Sequence, residues 1–337
     1  MIDLVIAGGG PAGLATAIHA ARAGLEIVVI EQRTGPIDKA CGEGLMPHAV
    51  RQLDLLGARP AGKKFRGVSY FDDNHCITAD FKSGHGLGVR RSTLHAALQQ
   101  EVARAGIPLV HDKVGAIVQD GESVTVNDIR ARYLAAADGL HSPIRASLGL
   151  QGRATGTRRW GIKRHIAGTP WSDCVEVYWS QHTEAYVTPV ADDCVGIAIL
   201  TSQQGRFDQH LAAFPALRER IDGCPHQPDR AAGPLRQKVR SRVAGRVLLV
   251  GDAAGYVDAL TGEGLGMAFA AARLLVDSVV GDRPADYERQ WRRTTRRYRF
   301  MTAAMLHAST SPLRPLVVPA ASGMPRVFTG MVNLLAD

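Results

Sequence analysis

The first stretch of the chain alternates short apolar runs with one helix-like segment. Ile2 to Ala7 is apolar apart from Asp3 and stops at Gly8-Gly9-Gly10-Pro11-Ala12-Gly13; Leu14 to Ala23 has helical composition, and Leu25 to Glu31 is a second apolar run. Short apolar runs bounded by turn residues read as buried strands, so this segment predicts a βαβ unit. Further on, Met46 to Leu56 predicts a helix stopped by Gly57, and Phe65 to Phe81 alternates as strands do. Between Ser92 and Ala105, Leu94, Ala97, Leu98 and Val102 share one helical face, with Ser92 as the expected cap and Gly106 as the stop. Ile107 to Val110, Val114 to Val118 and Val124 to Ile129 predict a small β-meander, and Tyr133 to Ala137 a further strand ending in Asp138-Gly139. The Gly84-His85-Gly86-Leu87-Gly88 cluster has no buried run before it and reads as a turn.

From about Thr155 to Pro234 the pattern becomes strands and turns, among them Glu176 to Trp179, Ala185 to Pro189 and Val195 to Leu200. A strand-glycine-helix unit then returns: Arg246 to Val250 feeds Gly251-Asp252-Ala253-Ala254, and Gly262-Glu263-Gly264-Leu265-Gly266 opens a helix from Met267 to Val280. These patterns predict an α/β chain with a second, mainly β region.

Composition narrows the class. Hydrophobic residues are 45% and charged residues 21%, which excludes a charge-dominated disordered chain. Glycine supplies 36 of 337 residues, above the usual share of about 7%, and so calls for close backbone approaches. The net charge of +8 is carried mostly by arginine, whose fork suits carboxylates and phosphates. The cysteines Cys41, Cys76, Cys174, Cys194 and Cys224 form no CxxC pair, so neither a disulfide framework nor a zinc site is indicated and a reducing, cytoplasmic setting is expected. The opening apolar run is too short for a signal peptide, and no charge-free apolar stretch reaches the roughly 20 residues of a spanning helix.

The glycine cluster carries the first chemistry. Gly8 permits a tight turn, Gly10 lets the backbone approach a pyrophosphate, and Gly13 allows close helix packing, while the helix N-terminus offers amide donors. Glu31 ends the second strand, where a carboxylate accepts the ribose hydroxyls of an adenosine. The fingerprint alone leaves NAD and FAD open.

Three ordered segments decide between them: the N-terminal fingerprint, Asp138-Gly139 followed by Ser142 and Arg145, and Gly251-Asp252-Ala253-Ala254. On these residues the chain resembles the FAD-dependent monooxygenases of the para-hydroxybenzoate hydroxylase fold and, more specifically, their geranylgeranyl reductase-like branch. The resemblance implies a Rossmann-like FAD-binding domain made of residues 1–62, 86–150 and 236–285, a mainly β substrate domain of 63–85 and 151–235, and a C-terminal helical tail, 286–337. It implies FAD contacts from Gly8, Gly10, Pro11, Ala12, Gly13, Glu31, Gln32 and Arg33 at the ADP end. Asp138 lies near the pyrophosphate in a segment linked to NAD(P)H, and Arg91 is set against the diphosphate. Gly251 and Asp252 fall at the ribityl chain, and Cys41, Gly42, Gly262, Gly264, Leu265 and Gly266 around the ring. Cys41 reads equally as a ring contact or as a small buried hydrophobe. Glu43, Trp160, His165, Trp179, Tyr186 and Pro189 are the substrate-side candidates.

The expected activity is NAD(P)H-dependent hydroxylation of an aromatic or polyketide-type hydrophobic substrate by flavin-activated oxygen. The alternatives are a reductase of carbon-carbon double bonds and a non-catalytic prenyl or lipid escort. The Tyr-x-Trp-x-Phe-Pro signature of the reductases is reduced here to Tyr186-Val187-Thr188-Pro189. No nucleic-acid partner is expected. Arg292, Arg293, Arg296 and Arg297 share one helical face before an apolar tail, which reads either as a solvated helix or as peripheral contact with anionic lipid.

Overall fold

The apolar runs at the N-terminus form strands β1 (Ile2–Ala7) and β2 (Ile27–Ile30), parallel from Leu4↔Ile27 to Ala7↔Ile30, with helix α1 (Pro11–Arg22) crossing between them. Pro11 opens that helix because its fixed φ suits the first turn and its missing N–H is not needed there. The computed structural model describes residues 1–337. The main sheet adds β8 (Leu109–Val110), β11 (Ile129–Ala136), β19 (Val243–Ala244) and β20 (Val247–Leu249) in the order β19-β20-β11-β1-β2-β8. The strands from β20 to β8 run parallel, and both faces are covered. Against this sheet pack α1, α3 (Arg91–Arg104) and α7 (Gly264–Val280), with α2 (Pro47–Leu56) lying against α7.

Four local expectations are corrected. Leu109 and Val110 leave the meander and pair with β2 as an edge strand. The meander consists instead of β9 (Ile117–Gln119), β10 (Val124–Val126) and β11. Asn127 and Asp128, both at positive φ, turn the chain so that Ile129 begins β11 rather than ending β10. The Gly84–Gly88 cluster is not only a turn: its last residues are β7 (Gly86–Gly88), between β3 (Gly44–Leu45) and β4 (Lys63–Phe65). A Cβ on Gly86 would lie 2.2 Å from the Phe65 ring and one on Gly88 1.8 Å from the Pro189 carbonyl oxygen, so closeness of neighbours demands these glycines. Finally, α3 begins at Arg91, not after Ser92; the cap comes from another element, the Glu43 carboxylate accepting the Arg91 N–H at 2.7 Å.

The second sheet has the order β17-β13-β16-β15-β14-β5-β6. Its members are β5 (Gly67–Phe71), β6 (Cys76–Asp80), β13 (Trp160–Ala167), β14 (Cys174–Trp179), β15 (Thr183–Ala191), β16 (Cys194–Thr201) and β17 (Arg230–Ala232). One face is packed by α5 (Phe207–Leu211) and α6 (Pro215–Arg220) through Phe207, Leu211, Phe214 and Leu217. The other face looks toward the main sheet. Where the two sheets meet lie α4 (Pro143–Ser147), β12 (Gln151–Gly152) and β18 (Lys238–Val239).

The tail consists of α8 (Pro284–Thr310), α9 (Val317–Gly323) and α10 (Pro325–Ala336). Helix α8 packs on α7, whereas α9 and α10 fold back onto β6, placing Phe328 on Tyr70 with ring centroids 4.9 Å apart. Buried ion pairs fix the return: Glu184 is held by Arg159 and Arg314, and Arg159 also faces Asp258. Burial pushes the Asp258 carboxyl up to about 6. No helix is long and apolar enough to cross a membrane.

Candidate cofactor and substrate site

The C-terminal ends of the parallel strands open into a cavity of about 400 Å³ between the two sheets, the place where ligands bind in open α/β sheets. The loop after β1 contributes Gly10 to its wall and the first turn of α1 Pro11 and Ala12, the loop after β2 Gln32 and Arg33, the turn after β11 Asp138 and Gly139, and the turn after β20 Gly251 and Asp252. Gly10 faces open space, since a Cβ there would meet nothing within 4 Å. Gly8 and Gly13 stand one layer behind and do not line the cavity: a Cβ on Gly13 would lie 1.9 Å from the Gly8 carbonyl oxygen, and one on Gly8 2.5 Å from that of Ala137. Their role is to press α1 onto the sheet.

Glu31 is also set behind the wall. Its carboxylate accepts the Gly9 N–H at 2.8 Å, and the Arg33 backbone N–H and Nε at 3.0 and 2.9 Å. Burial works to raise its pKa, but those hydrogen bonds and the Arg33 charge prevail and hold it below the usual carboxylate range. Arg33, more than half exposed, lines the cavity while Glu31 behind it does not.

The Asp138 carboxylate accepts the Ser142 hydroxyl at 2.6 Å and the Ile144 N–H at 3.0 Å, ordering the turn into α4. Its burial raises its pKa. Arg145, almost wholly enclosed, donates to Gln151 at 2.6 Å, to the carbonyls of Leu140 and Ala253 at 2.8 and 3.0 Å, and to Gln237 at 3.0 Å. It thereby ties the Asp-Gly segment to the Gly-Asp segment. Its motif was visible in the sequence; this bridging role was not.

Around the far half of the cavity are Cys41, Gly42, Glu43 and Gly44, with Gly262, Gly264 and Leu265 opposite. Helix α7 begins at Gly264, earlier than the sequence predicts, so its N-terminal turn is directed at the cavity. Gly266 departs from the expectation: a Cβ there would lie 2.3 Å from the His48 ring, so it serves α2–α7 packing and does not line the cavity. Arg91 lines the wall, and its buried Nε has no protein partner.

These features fit FAD. Open backbone at Gly10, an unpartnered arginine, Asp252 on the wall and the α7 N-terminus succeed one another along one cavity. When bound, FAD supplies hydride and electron transfer that no side chain here can perform. Asp252→Ala removes the carboxylate from the middle of this track without opening the core. FAD affinity is expected to fall by about tenfold to a hundredfold, as for loss of a charge-assisted hydrogen bond, measured by titrating the apoprotein with FAD. An unchanged dissociation constant would remove Asp252 from the cofactor site.

The substrate-side candidates divide. Tyr186 and Glu43 line the cavity, but Trp160, His165, Trp179 and Pro189 do not. Trp179 is buried against Tyr70, Trp160 closes onto Gly233, and Pro189 backs Gly88. His165 is turned to Glu43, Nε2 to Oε2 2.6 Å. Strand alternation carries Val68, Tyr70, Val175, Val177 and Leu200 to the wall instead, and the tail adds Met305, Val332 and Leu335. The sequence reading also passed over Lys163, which lines the cavity although its side chain is only 2% exposed. Its signal was available: it shares a strand face with Gly161 and His165.

Known proteins carry the same design. The FAD binding domain family matches residues 90–279, and the lycopene cyclase protein family matches residues 3–162. A menaquinone reductase of Mycobacterium tuberculosis is 28% identical over 82% of this chain and 76% of its own length. A digeranylgeranylglycerophospholipid reductase of Methanothermobacter thermautotrophicus is 27% identical over 86% and 81%. Among solved structures, a flavin-dependent brominase superposes with a TM-score of 0.84 at 17% identity, covering 99% of this chain and 93% of that one. The Asp-Gly and Gly-Asp segments both fall within the first of these matches, and the cavity joins them to the N-terminal fingerprint: the chain belongs to the FAD binding domain family and has an FAD-binding, geranylgeranyl reductase-like fold.

Proposed function

We propose that the protein is an FAD-dependent reductase that saturates a carbon-carbon double bond in an elongated apolar substrate, with NAD(P)H as the source of electrons. The observation that carries this reading is the continuity of the cavity, from the glycine-rich cofactor track to an apolar end walled by Tyr70, Val177, Leu200, Met305, Val332 and Leu335. The relatives named as menaquinone and digeranylgeranylglycerophospholipid reductases support it. In this reading Gly10, Arg91 and Asp252 hold the cofactor, and the apolar walls exclude water from the reacting carbons. The N-terminus of α7, opening on the cavity at Gly264 and Leu265, favours negative charge beside it.

The second reading, hydroxylation of a hydrophobic substrate with molecular oxygen, rests on position 188. Thr188, directly before Pro189, stands where the reductase signature carries Phe, and its hydroxyl donates to the Gly42 carbonyl at 2.8 Å instead of supplying an aromatic wall. A single experiment separates the two: the FAD-loaded enzyme, reduced with NADPH or NADH under argon, is mixed with geranylgeraniol. Reduction predicts reoxidation of the flavin without oxygen and a product richer by one pair of hydrogens. No anaerobic turnover, with oxygen uptake matching substrate loss in air, would replace it by hydroxylation.

Substrate access is proposed from an anionic lipid surface. Val332 and Leu335 of α10 line the cavity while Met331 and Leu334 beside them are exposed, as are Leu313, Leu316, Met324 and Val327. Arg292, Arg293, Arg296 and Arg297 of α8 are exposed as well. Co-sedimentation with phosphatidylglycerol vesicles, weakened by salt and absent with neutral vesicles, is the expected result; no sedimentation with either would exclude it.

A further inference from the structure

The face of the second sheet that walls the cavity is mostly apolar and carries a full charge at one point. Among the residues it contributes, Lys163 alone carries a charge. It sits on β13 opposite Ala198 of β16, which pairs in turn with Tyr186 of β15. A lysine so deeply buried persists only if its charge is matched. The match comes from the loop ahead of β3: Nζ donates to Asp38 Oδ1 and to Glu43 Oε1, both at 2.9 Å. Glu43 is itself enclosed and accepts from His165 and from the Arg91 N–H at the start of α3. Burial pushes the Glu43 carboxyl up, but these donors and the Lys163 charge pull it below the usual range, keeping it anionic.

Two details mark this as a built site rather than a chance pairing. Glu43 holds a left-handed backbone, φ 59°, unusual for a side chain with a Cβ and costly unless its surroundings require it. A Cβ on Gly196 would come within 2.9 Å of Glu43 Oε2, so the sheet leaves a side chain out where the carboxylate enters. An ammonium has three N–H groups, and the protein accepts two of them.

We propose that the third N–H of Lys163 binds an oxygen acceptor on the substrate, so that the cavity takes molecules that are apolar along their length and carry a carbonyl at the end lying beside Glu43. Glu43 and Asp38 hold the ammonium in place, and Lys163 fixes how far the substrate slides along the cavity. The proposal rests on the reading of this cavity as the substrate site. It adds the polar group that the apolar wall does not select.

The test is a binding preference, independent of turnover. Menadione and 2-methylnaphthalene share a fused-ring skeleton, but only menadione carries carbonyl oxygens. The FAD-loaded protein is titrated with each, following quenching of tryptophan fluorescence. The wild type is expected to prefer menadione by about tenfold or more, the scale of a hydrogen bond from a charged donor. Lys163→Met alone strands two carboxylates, so the variant is Lys163→Met with Glu43→Gln, its folding checked by thermal melting. It should bind 2-methylnaphthalene as before and lose the preference. A wild type with no preference overturns the proposal even if the variant does not fold. A preference that survives in the variant also overturns it, as does an altered FAD spectrum with the preference intact, which would turn Lys163 toward the cofactor. Loss of the carbonyl preference leaves double-bond reduction standing; failure to reduce an alkene, with the preference intact, sinks only the reductase reading.

Discussion

Arg145→Met is expected to leave a protein that neither retains FAD through gel filtration nor melts cooperatively near the wild-type temperature. The side chain is almost fully buried, and no carboxylate pairs with it directly; it is held by carbonyls and amides from three segments. Burial lowers its pKa below that of a free guanidinium. Methionine fills part of the volume but satisfies none of the acceptors. Each carbonyl left unpaired in such a place costs about 1–3 kcal/mol. Those at Leu140 and Ala253, with the side chains of Gln151 and Gln237, together lose an amount comparable to the whole stability of a typical domain, about 5–15 kcal/mol. Lysine restores the charge but cannot span acceptors lying in several directions, so Arg145→Lys should recover little. A variant with wild-type melting and normal FAD content would show that the bridge between the Asp-Gly and Gly-Asp segments is dispensable.

Gly13→Val and Gly10→Ala are expected to weaken cofactor binding by different routes, and the pair separates packing from contact. At Gly13 any Cβ would stand 1.9 Å from the Gly8 carbonyl oxygen and 3.2 Å from the Ala137 Cβ. The helix must retreat from the sheet, taking its N-terminal amides with it, and both the melting temperature and FAD affinity should fall. At Gly10 a Cβ meets no protein atom within 4 Å. The apoprotein should therefore melt as the wild type does while FAD affinity drops about a hundredfold, because the methyl group occupies the space that backbone amides leave for the pyrophosphate. Differential scanning fluorimetry of the apoproteins and FAD titration report the two quantities. Equal melting losses in both variants would contradict the division of roles.

The cofactor half of the site was legible because it is written locally. Gly8 to Gly13, Asp138-Gly139 and Gly251-Asp252 each follow a buried strand, so pattern and chemistry coincide within a few residues. Gly266 and Ser92 were misplaced because a neighbour from elsewhere settled the matter: His48 fills the space beside Gly266, and Glu43 caps the helix that Ser92 was expected to cap. The Gly84–Gly88 cluster misled for a similar reason, its glycines answering to Phe65 and Pro189 rather than to a local turn. The substrate half was least legible. Whether Trp160 or Lys163 faces the cavity depends on strand register and on which sheet face the main domain covers, and aromatic character says nothing about either. The role of the tail was hidden too, since the return of α10 onto β6 is set by distant contacts such as Asn333 with the Asp80 carbonyl and the Lys82 N–H.

That return separates two kinds of change. Helix α10 closes the apolar end of the cavity with Val332 and Leu335 yet supplies no atom to the glycine-rich track. Substitutions there alter the length and girth of what fits and leave the redox apparatus untouched. The molecule is thus divided into a redox engine and an exchangeable gauge, and substrate range can drift through α10 without each step having to preserve flavin chemistry anew.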